Sequence, residues 1–367
     1  MSRARRVGII GAAAGLVAAG AAAGLTAERY AVGRARLRPD PRSREPLGAL
    51  RGTPRTVVTD DGVALHVEEV GAADAPLTVI FTHGFSLEMA CWHYQWRDLS
   101  GRDAPGRLVF WDQRGHGRSG ATSDEHATID WLGRDLARLI EETAPVGPVV
   151  LIGHSMGGMT IMALADRQPE LFGSRVLGVA LIGTSSGKVA ETFLRVPAMF
   201  HGPFRKAAPY AAAAFAKRAA LVERGRRAGT DLAYLGTRRI AFGVDPGPAL
   251  VDFVDRMLAA TPTDVIAQFL PTFVEHDKLD ALAALDDVET LVVCGDRDRI
   301  TPIDQSRTIV GRLPYADFVA VPSAGHMVML ERPSLVNLHI RQLCKRALLL
   351  AAENASENSS ANTAATQ

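Results

Sequence analysis

Cysteine is scarce in this 367-residue chain, with three in all. Cys91, Cys294 and Cys344 stand far apart and share no metal-ligand spacing. Cys294 falls in a strand-like run and Cys344 in a helix-like one. They read as small apolar fillers, not as halves of disulfides. An excess of one charge is missing too: 41 Lys and Arg against 40 Asp and Glu leave a formal net charge of +1. That balance gives no argument for a nucleic-acid partner. No P-loop pattern points to a nucleotide, and no His/Cys cluster points to a metal. The expectation is a protein without cofactor or metal.

What is present is length and alternation. The chain is long enough to bury a large core, and one α/β domain carrying an insertion fits it. Thr56–Thr59 and Val63–Val70 flank Asp60-Asp61-Gly62, which is hairpin-turn chemistry. Strand-like runs follow near 77–81, 107–111, 149–153, 176–182, 290–294 and 316–321. Helical patterns near 127–143, 157–168, 303–312 and 333–350 alternate with them. Such alternation predicts a mostly parallel sheet covered on both faces. The interval from Thr184 to Thr290 is too long for a loop and holds helical segments such as Ala207 to Arg227 and Pro248 to Ala260. The expected organisation is a main domain over 53–350 with a helical insertion at about 186–288. An Arg- and Pro-rich linker over 29–52 precedes it, and a disordered tail rich in Ala, Asn, Ser and Thr follows over 351–367.

Residues 7–27 hold no charge. They are long enough to span a bilayer, which takes about 20 residues, although most are Ala and Gly. Gly11/Gly15 and Gly20/Gly24 have the small-xxx-small spacing that lets membrane helices approach closely. A membrane anchor within residues 1–28 is the expectation. The alternatives are a leader behind Arg5-Arg6 that is cleaved on export, and a flexible tail on a cytoplasmic protein.

The most telling stretch is Gly153-His154-Ser155-Met156-Gly157-Gly158, between the apolar run Val149–Ile152 and a helical run from Met159. A serine between glycines, where a buried strand turns sharply into a helix, presents its hydroxyl to substrate. Small residues suit the turn because a Cβ there collides with neighbouring backbone. A serine hydroxyl is a weak nucleophile at neutral pH. It needs a base, a carboxylate to orient the base, and donors for the oxyanion. The run Thr290–Cys294 leads into Gly295-Asp296-Arg297-Asp298. Acidic residues past a strand's C-terminal end sit on the rim where open α/β sheets bind ligands. Asp298 is the candidate acid and Asp296 its rival. His326 follows Gly325 in the loop after the run Phe318–Val321 and is the candidate base. His83-Gly84-Phe85 ends the run Leu77–Phe81. The backbone N–H groups of Phe85 and Met156 are the candidate oxyanion donors, each worth about 3–4 kcal/mol.

Together with Asp112-Gln113-Arg114-Gly115-His116-Gly117-Arg118-Ser119, these motifs resemble the α/β-hydrolase fold. The similarity is greatest to its bacterial esterases, lipases and cofactor-free haloperoxidases, and it runs from about Thr53 to Leu350. The resemblance implies an eight-stranded, mostly parallel sheet flanked by helices, with a helical cap inserted over the nucleophile. It implies Ser155 as nucleophile, His326 as base and Asp298 as acid, since the second aspartate of Gly-x-x-Asp has that role in the family. Gly84, Gly153 and Gly157 support the turns. Asp112 to Ser119 is a structural turn in the family, so His116 is not promoted to a catalyst, and His154 is a structural neighbour of the nucleophile. Epoxide hydrolases and haloalkane dehalogenases of this fold carry aspartate where this chain has Ser155, which disfavours alkyl–enzyme ester chemistry.

The resulting expectation is a serine hydrolase cleaving a small-molecule carboxylic ester, with an apolar acyl or alkyl group, through an acyl-enzyme. Perhydrolysis or C–C bond hydrolysis by the same triad is the alternative, and ligand binding without turnover a further one. Within the insertion, Phe193, Met199, Phe200, Phe204, Phe215, Met257, Phe269 and Phe273 stand either as pocket wall or as the insertion's own core. Trp92, His93, Tyr94 and Trp96 pose the same choice.

Overall fold

Turn chemistry and strand patterning set the first elements. Thr53–Val58 (β1) and Ala64–Val70 (β2) pair antiparallel across Asp60-Asp61-Gly62. The structure, a computed structural model, describes residues 32–187 and 230–365. Strand Thr78–Thr82 (β3), helix His93–Leu99 (α1), strand Arg107–Trp111 (β4) and helix Ile129–Thr143 (α2) follow. Then come strand Val149–His154 (β5), helix Met156–Arg167 (α3) and strand Val176–Ile182 (β6). Three helices of the insertion are described: Thr230–Ile240 (α4), Pro248–Ala260 (α5) and Thr263–Glu275 (α6). Strand Glu289–Gly295 (β7), helix Ile303–Arg312 (α7), strand Asp317–Val321 (β8), the short helix Val328–Glu331 (α8) and helix Pro333–Ala365 (α9) complete the fold. The eight strands form one sheet in the order β1-β2-β4-β3-β5-β6-β7-β8. Only the β1/β2 and β2/β4 pairings are antiparallel. The chain therefore has the expected α/β-hydrolase fold.

Strand geometry explains why the apolar runs are continuous. Successive side chains point to opposite faces, so a strand covered on both faces is apolar throughout. On β5, Val150 and Ile152 join one core, while Val149 and Leu151 join the other. On β4, Leu108 and Phe110 face the first core, and Val109 and Trp111 the second. Helices α1 and α9 cover the first face with residues such as Leu99, Val336, Ile340 and Leu343. Helices α2, α3 and α7 cover the second with Leu136, Leu139, Ile161 and Ile309. Each fully buried aliphatic side chain contributes about 1.5–3 kcal/mol. The three cysteines are buried and unpaired, as small apolar fillers would be.

Two boundaries differ from the sequence reading. Of the tail expected to be disordered over 351–367, the described residues 351–365 are helical, since α9 runs on to Ala365. No Gly or Pro follows Pro333, and Ala351, Ala352 and Glu353 are strong helix formers. Asn354 also docks this extension, donating to Gly173 O at 3.3 Å. The second difference concerns residues 32–52, read as linker. Val32 and Ala35 are buried. Arg36 pairs with Asp252 at 3.5 Å, Arg38 pairs with Asp245, and Asp40 accepts the Ala249 N–H at 2.9 Å. Charges that read as linker composition find partners on the insertion. Residues 7–27 and the expected helix Ala207 to Arg227 lie outside the described residues. Among the described residues no helix is long and apolar enough to cross a membrane.

One buried ionic cluster pins the loop after β4. Arg114, with its side chain fully buried, donates to both oxygens of Asp135 at 2.6 Å and to Asp61 at 2.9 and 3.1 Å. Burial still pushes the Asp135 carboxyl up to about 6, against the pull of Arg114. Replacing Arg114 with Ala leaves that carboxylate without its partner. The expected loss is about 3–5 kcal/mol, read by urea unfolding.

Candidate active site

The chain passes from β5 to α3 across Ser155 alone. Ser155 holds φ 52° and ψ −118°, a conformation that costs of the order of 1–3 kcal/mol for a residue with a side chain. Its neighbours hold it there. The Ser155 N–H donates to Ile182 O at 2.9 Å, and the Thr184 hydroxyl donates to Ser155 O at 2.7 Å. Close backbone approach requires glycine beside it. A Cβ on Gly157 would be driven into Thr82 O and lie 2.9 Å from His83 O. One on Gly153 would stand 2.5 Å from Gly157 O. Gly84 brings the next loop alongside, where a Cβ would lie 3.1 Å from Ser155 Cβ.

The ends of β7 and β8 deliver a carboxylate and an imidazole. Asp298 Oδ2 accepts from His326 Nδ1 at 2.8 Å and from the Thr301 hydroxyl at 2.9 Å. Asp298 Oδ1 accepts the N–H groups of Ile300 at 2.8 Å and Thr301 at 2.9 Å. Burial pushes this carboxyl up. The charge and hydrogen bond of His326, with the two N–H groups, outweigh burial and hold it below its ordinary value. With Nδ1–H committed to Asp298, His326 Nε2 is the nitrogen that can take a proton. The rival, Asp296, is engaged elsewhere: its Oδ1 accepts the Ser323 N–H at 2.7 Å. His154, beside Ser155, links the two loops. Its Nε2 donates to His326 O at 2.9 Å, and the two rings stand 4.7 Å apart. Among the described residues no hydrogen bond joins Ser155 Oγ to His326, a bond that often tightens only with substrate in place.

Opposite lies the loop after β3. His83 Nε2 accepts the Gln113 N–H at 2.9 Å, which leaves the proton on Nδ1. Nδ1 donates to Gly84 O at 2.8 Å, and the Leu87 N–H donates to the same carbonyl at 3.2 Å. In a trans peptide the N–H points away from the C=O. Fixing Gly84 O therefore fixes the direction of the Phe85 N–H. That N–H, like the Met156 N–H in the first turn of α3, has no partner among the described hydrogen bonds. Burial lowers His83 to about 4, and His116 and His154 to about 3. All three are neutral near pH 7.

The profile of the alpha/beta hydrolase family matches residues 79–337. The chain belongs to that family. It is 26% identical to a non-heme haloperoxidase of Rhodococcus erythropolis over 288 residues, 77% of this chain and 96% of that protein. It is 35% identical to a bifunctional esterase/perhydrolase of Acinetobacter calcoaceticus over 114 residues, 31% of this chain and 40% of that protein. Among solved structures, a thermophilic esterase from Thermogutta terrifontis superposes with a TM-score of 0.61 at 25% identity, covering 80% of this chain and 98% of that one.

In this α/β hydrolase the insertion reaches the site through α6. Phe269 and Phe273 stand 6.2 and 5.0 Å from the Phe85 ring, and Met156, Met159 and Val265 belong to the same cluster. Met257 instead lines a cavity of about 240 Å³ with Leu87, Glu88 and Val265; neither Ser155, Asp298 nor His326 borders it. The other five apolar residues singled out, Phe193 to Phe215, lie outside the described residues. Trp92, Tyr94 and Trp96 are core, with Trp96 stacked on Phe110 at 4.4 Å. The run Gly115 to Gly120 has the glycine spacing of a dinucleotide loop, but turns follow it and the next helix starts at Ile129. Asp112 shapes that turn by accepting the N–H groups of Met89 at 2.8 Å and Arg118 at 2.9 Å.

The sequence reading gave no role to the polar residues that brace the site: Gln113, Thr160, Thr184, Thr301 and Glu331. Thr160 donates to Gln113 Oε1, and Gln113 Nε2 to His83 O, both at 2.7 Å. Replacing Gly157 with Ala is expected to cost about 1–3 kcal/mol or more, because backbone must move to admit the methyl group. A melting curve reads the stability, and loss of fluorophosphonate labelling reads the collapse of the turn.

Proposed function

We propose that this α/β hydrolase is a serine hydrolase that cleaves a carboxylic ester. The observation that carries the reading is the 2.8 Å Asp298–His326 hydrogen bond beside a serine held in a strained strand-to-helix turn. His326 Nε2 takes the Ser155 proton as Oγ attacks the acyl carbon. The N–H groups of Phe85 and Met156 receive the oxyanion. His326 then returns the proton to the leaving alcohol, and the acyl group stays on Ser155. Water, deprotonated by the same imidazole, attacks the acyl-enzyme and releases the acid. Asp298 holds the tautomer and stabilises the imidazolium. Low exposure strengthens each of these electrostatic contacts. Phe85, Phe269 and Phe273 suit an apolar acyl or alkyl group.

Likeness to a haloperoxidase over nearly that protein's whole length favours a second reading. In it hydrogen peroxide replaces water at the acyl-enzyme and leaves as a peracid. The residues and steps before deacylation are the same. Turnover of p-nitrophenyl esters compared with peroxide-dependent halogenation separates the two.

Ser155→Ala is expected to abolish fluorophosphonate labelling; labelling that persists removes Ser155 as nucleophile. Asp298→Asn is expected to lower kcat by a factor of about 10⁴ with the fold intact, because the wrong tautomer is then held. For residues 7–27 we propose a membrane anchor, on the strength of an uncharged run long enough to span a bilayer. The protein then stays in the membrane fraction through carbonate washing, whereas release into the wash rejects the anchor.

A further inference from the structure

Glu331 ends α8 and is 7% exposed. It follows the apolar stretch Met327-Val328-Met329-Leu330, where a carboxylate needs polar partners to be buried. One of those partners comes from the loop just upstream and the other from the insertion. Oε1 accepts the Gly325 N–H at 2.7 Å, and Oε2 accepts the Gly243 N–H at 2.9 Å. Gly325 precedes His326; Gly243 lies in the insertion, just past α4. Two backbone donors, one on each oxygen, match the ionised carboxylate, which only accepts.

Other bonds run along the same seam. The Met327 N–H donates to Ala241 O at 3.0 Å. Arg299, next to Asp298, donates to Phe242 O at 3.1 Å and Arg239 O at 2.5 Å. The contact is backbone on backbone. A Cβ on Gly325 would be driven into Gly243 N and Phe242 C, and one on Gly243 would stand 2.5 Å from Ser323 O. From the core side, His154 holds His326 O at 2.9 Å. The His326 backbone is thus fixed at Gly325 N, at its own carbonyl and at Met327 N, and two of those three anchors reach the insertion.

We propose that Glu331 is a positioning residue that clamps the His326 loop to the Ala241–Gly243 turn of the insertion, so that the placement of the base depends on the placement of the insertion. The proposal rests on the reading of His326 as the base. Glu331 touches neither substrate nor the imidazole; it acts through the Gly325 peptide. A shift of about 1 Å in a catalytic group costs roughly a hundredfold in rate, so the clamp is kinetically visible.

Glu331→Gln keeps the size but turns an NH₂ group toward one of the two N–H donors. Ester hydrolysis is measured per active serine, titrated with a fluorophosphonate, so that loss of folded protein does not register. The expected result is a fall in kcat of about 10- to 100-fold with KM within about twofold, and labelling of Ser155 slowed by a similar factor. Wild-type kcat and labelling rate per titrated serine in the variant overturn the proposal. So does an equal fall in kcat/KM carried wholly by KM. Should Glu331→Gln not fold, Glu331→Asp, which keeps the charge with a shorter reach, is expected to show the same split, and a wild-type rate there is equally decisive against the clamp. Absence of labelling in the wild-type protein rejects the serine-hydrolase reading itself, an outcome distinct from a labelled wild type and an unaffected variant.

Discussion

Everything at the site depends on the backbone of one residue. Ser155 sits at φ 52°, and that angle lets a strand become a helix within a single step. The strain is held by groups that do no chemistry. Ile182 takes the N–H, Thr184 takes the carbonyl, and Thr82 and His83 press on Gly157 so closely that only hydrogen fits there. A relaxed turn would lose more than the serine's direction. The Met156 N–H would turn away with it, because Ser155 and Met156 occupy consecutive positions on the same bend.

Burial divides the histidines by role. His83, His116 and His154 are driven neutral by desolvation and act as fixed hydrogen-bond hardware. Of these four histidines, His326 is the one bonded to a carboxylate, so a positive charge that forms on it has a counter-charge already in place. Neutral neighbours matter as much as that partner, since a permanently charged imidazole at position 154 would oppose protonation of His326 at a ring separation of 4.7 Å. The desolvated setting that makes the pair effective also keeps competing charges out.

The sheet and the places of Asp298 and His326 were legible in the sequence for the same reason. A strand buried on both faces must be apolar along its whole length, and polar residues at its end then stand out. Asp298 and His326 are such residues. Boundaries were less legible: the run expected over 290–294 extends to Glu289–Gly295, because pairing with β6 and β8 recruits residues that the apolar pattern omits. Partners distant in sequence were not legible at all. Glu331 reads as a stray charge until its bond to Gly243, 88 positions away, is seen. Arg38 reads as linker until Asp245, 207 positions away, faces it. The helix after Leu350 was misread from its Asn and Ser content, although nothing in that stretch breaks a helix.

The strap formed by residues 32–52 also fixes an attachment point. Arg36 lies over the Tyr234 ring of α4 at 4.7 Å and pairs with Asp252 of α5, and Arg38 and Asp40 hold the turn between them and the start of α5, so the strap begins beside the insertion. Tension or crowding applied through anything joined ahead of it is delivered first to α5 and to the turn that precedes it. The same strap reaches the sheet layer only further along the chain, where Glu45 pairs with His93 at 3.2 Å and the Gly52 N–H donates to Glu68 at 2.7 Å, so the insertion meets such a load before the sheet does.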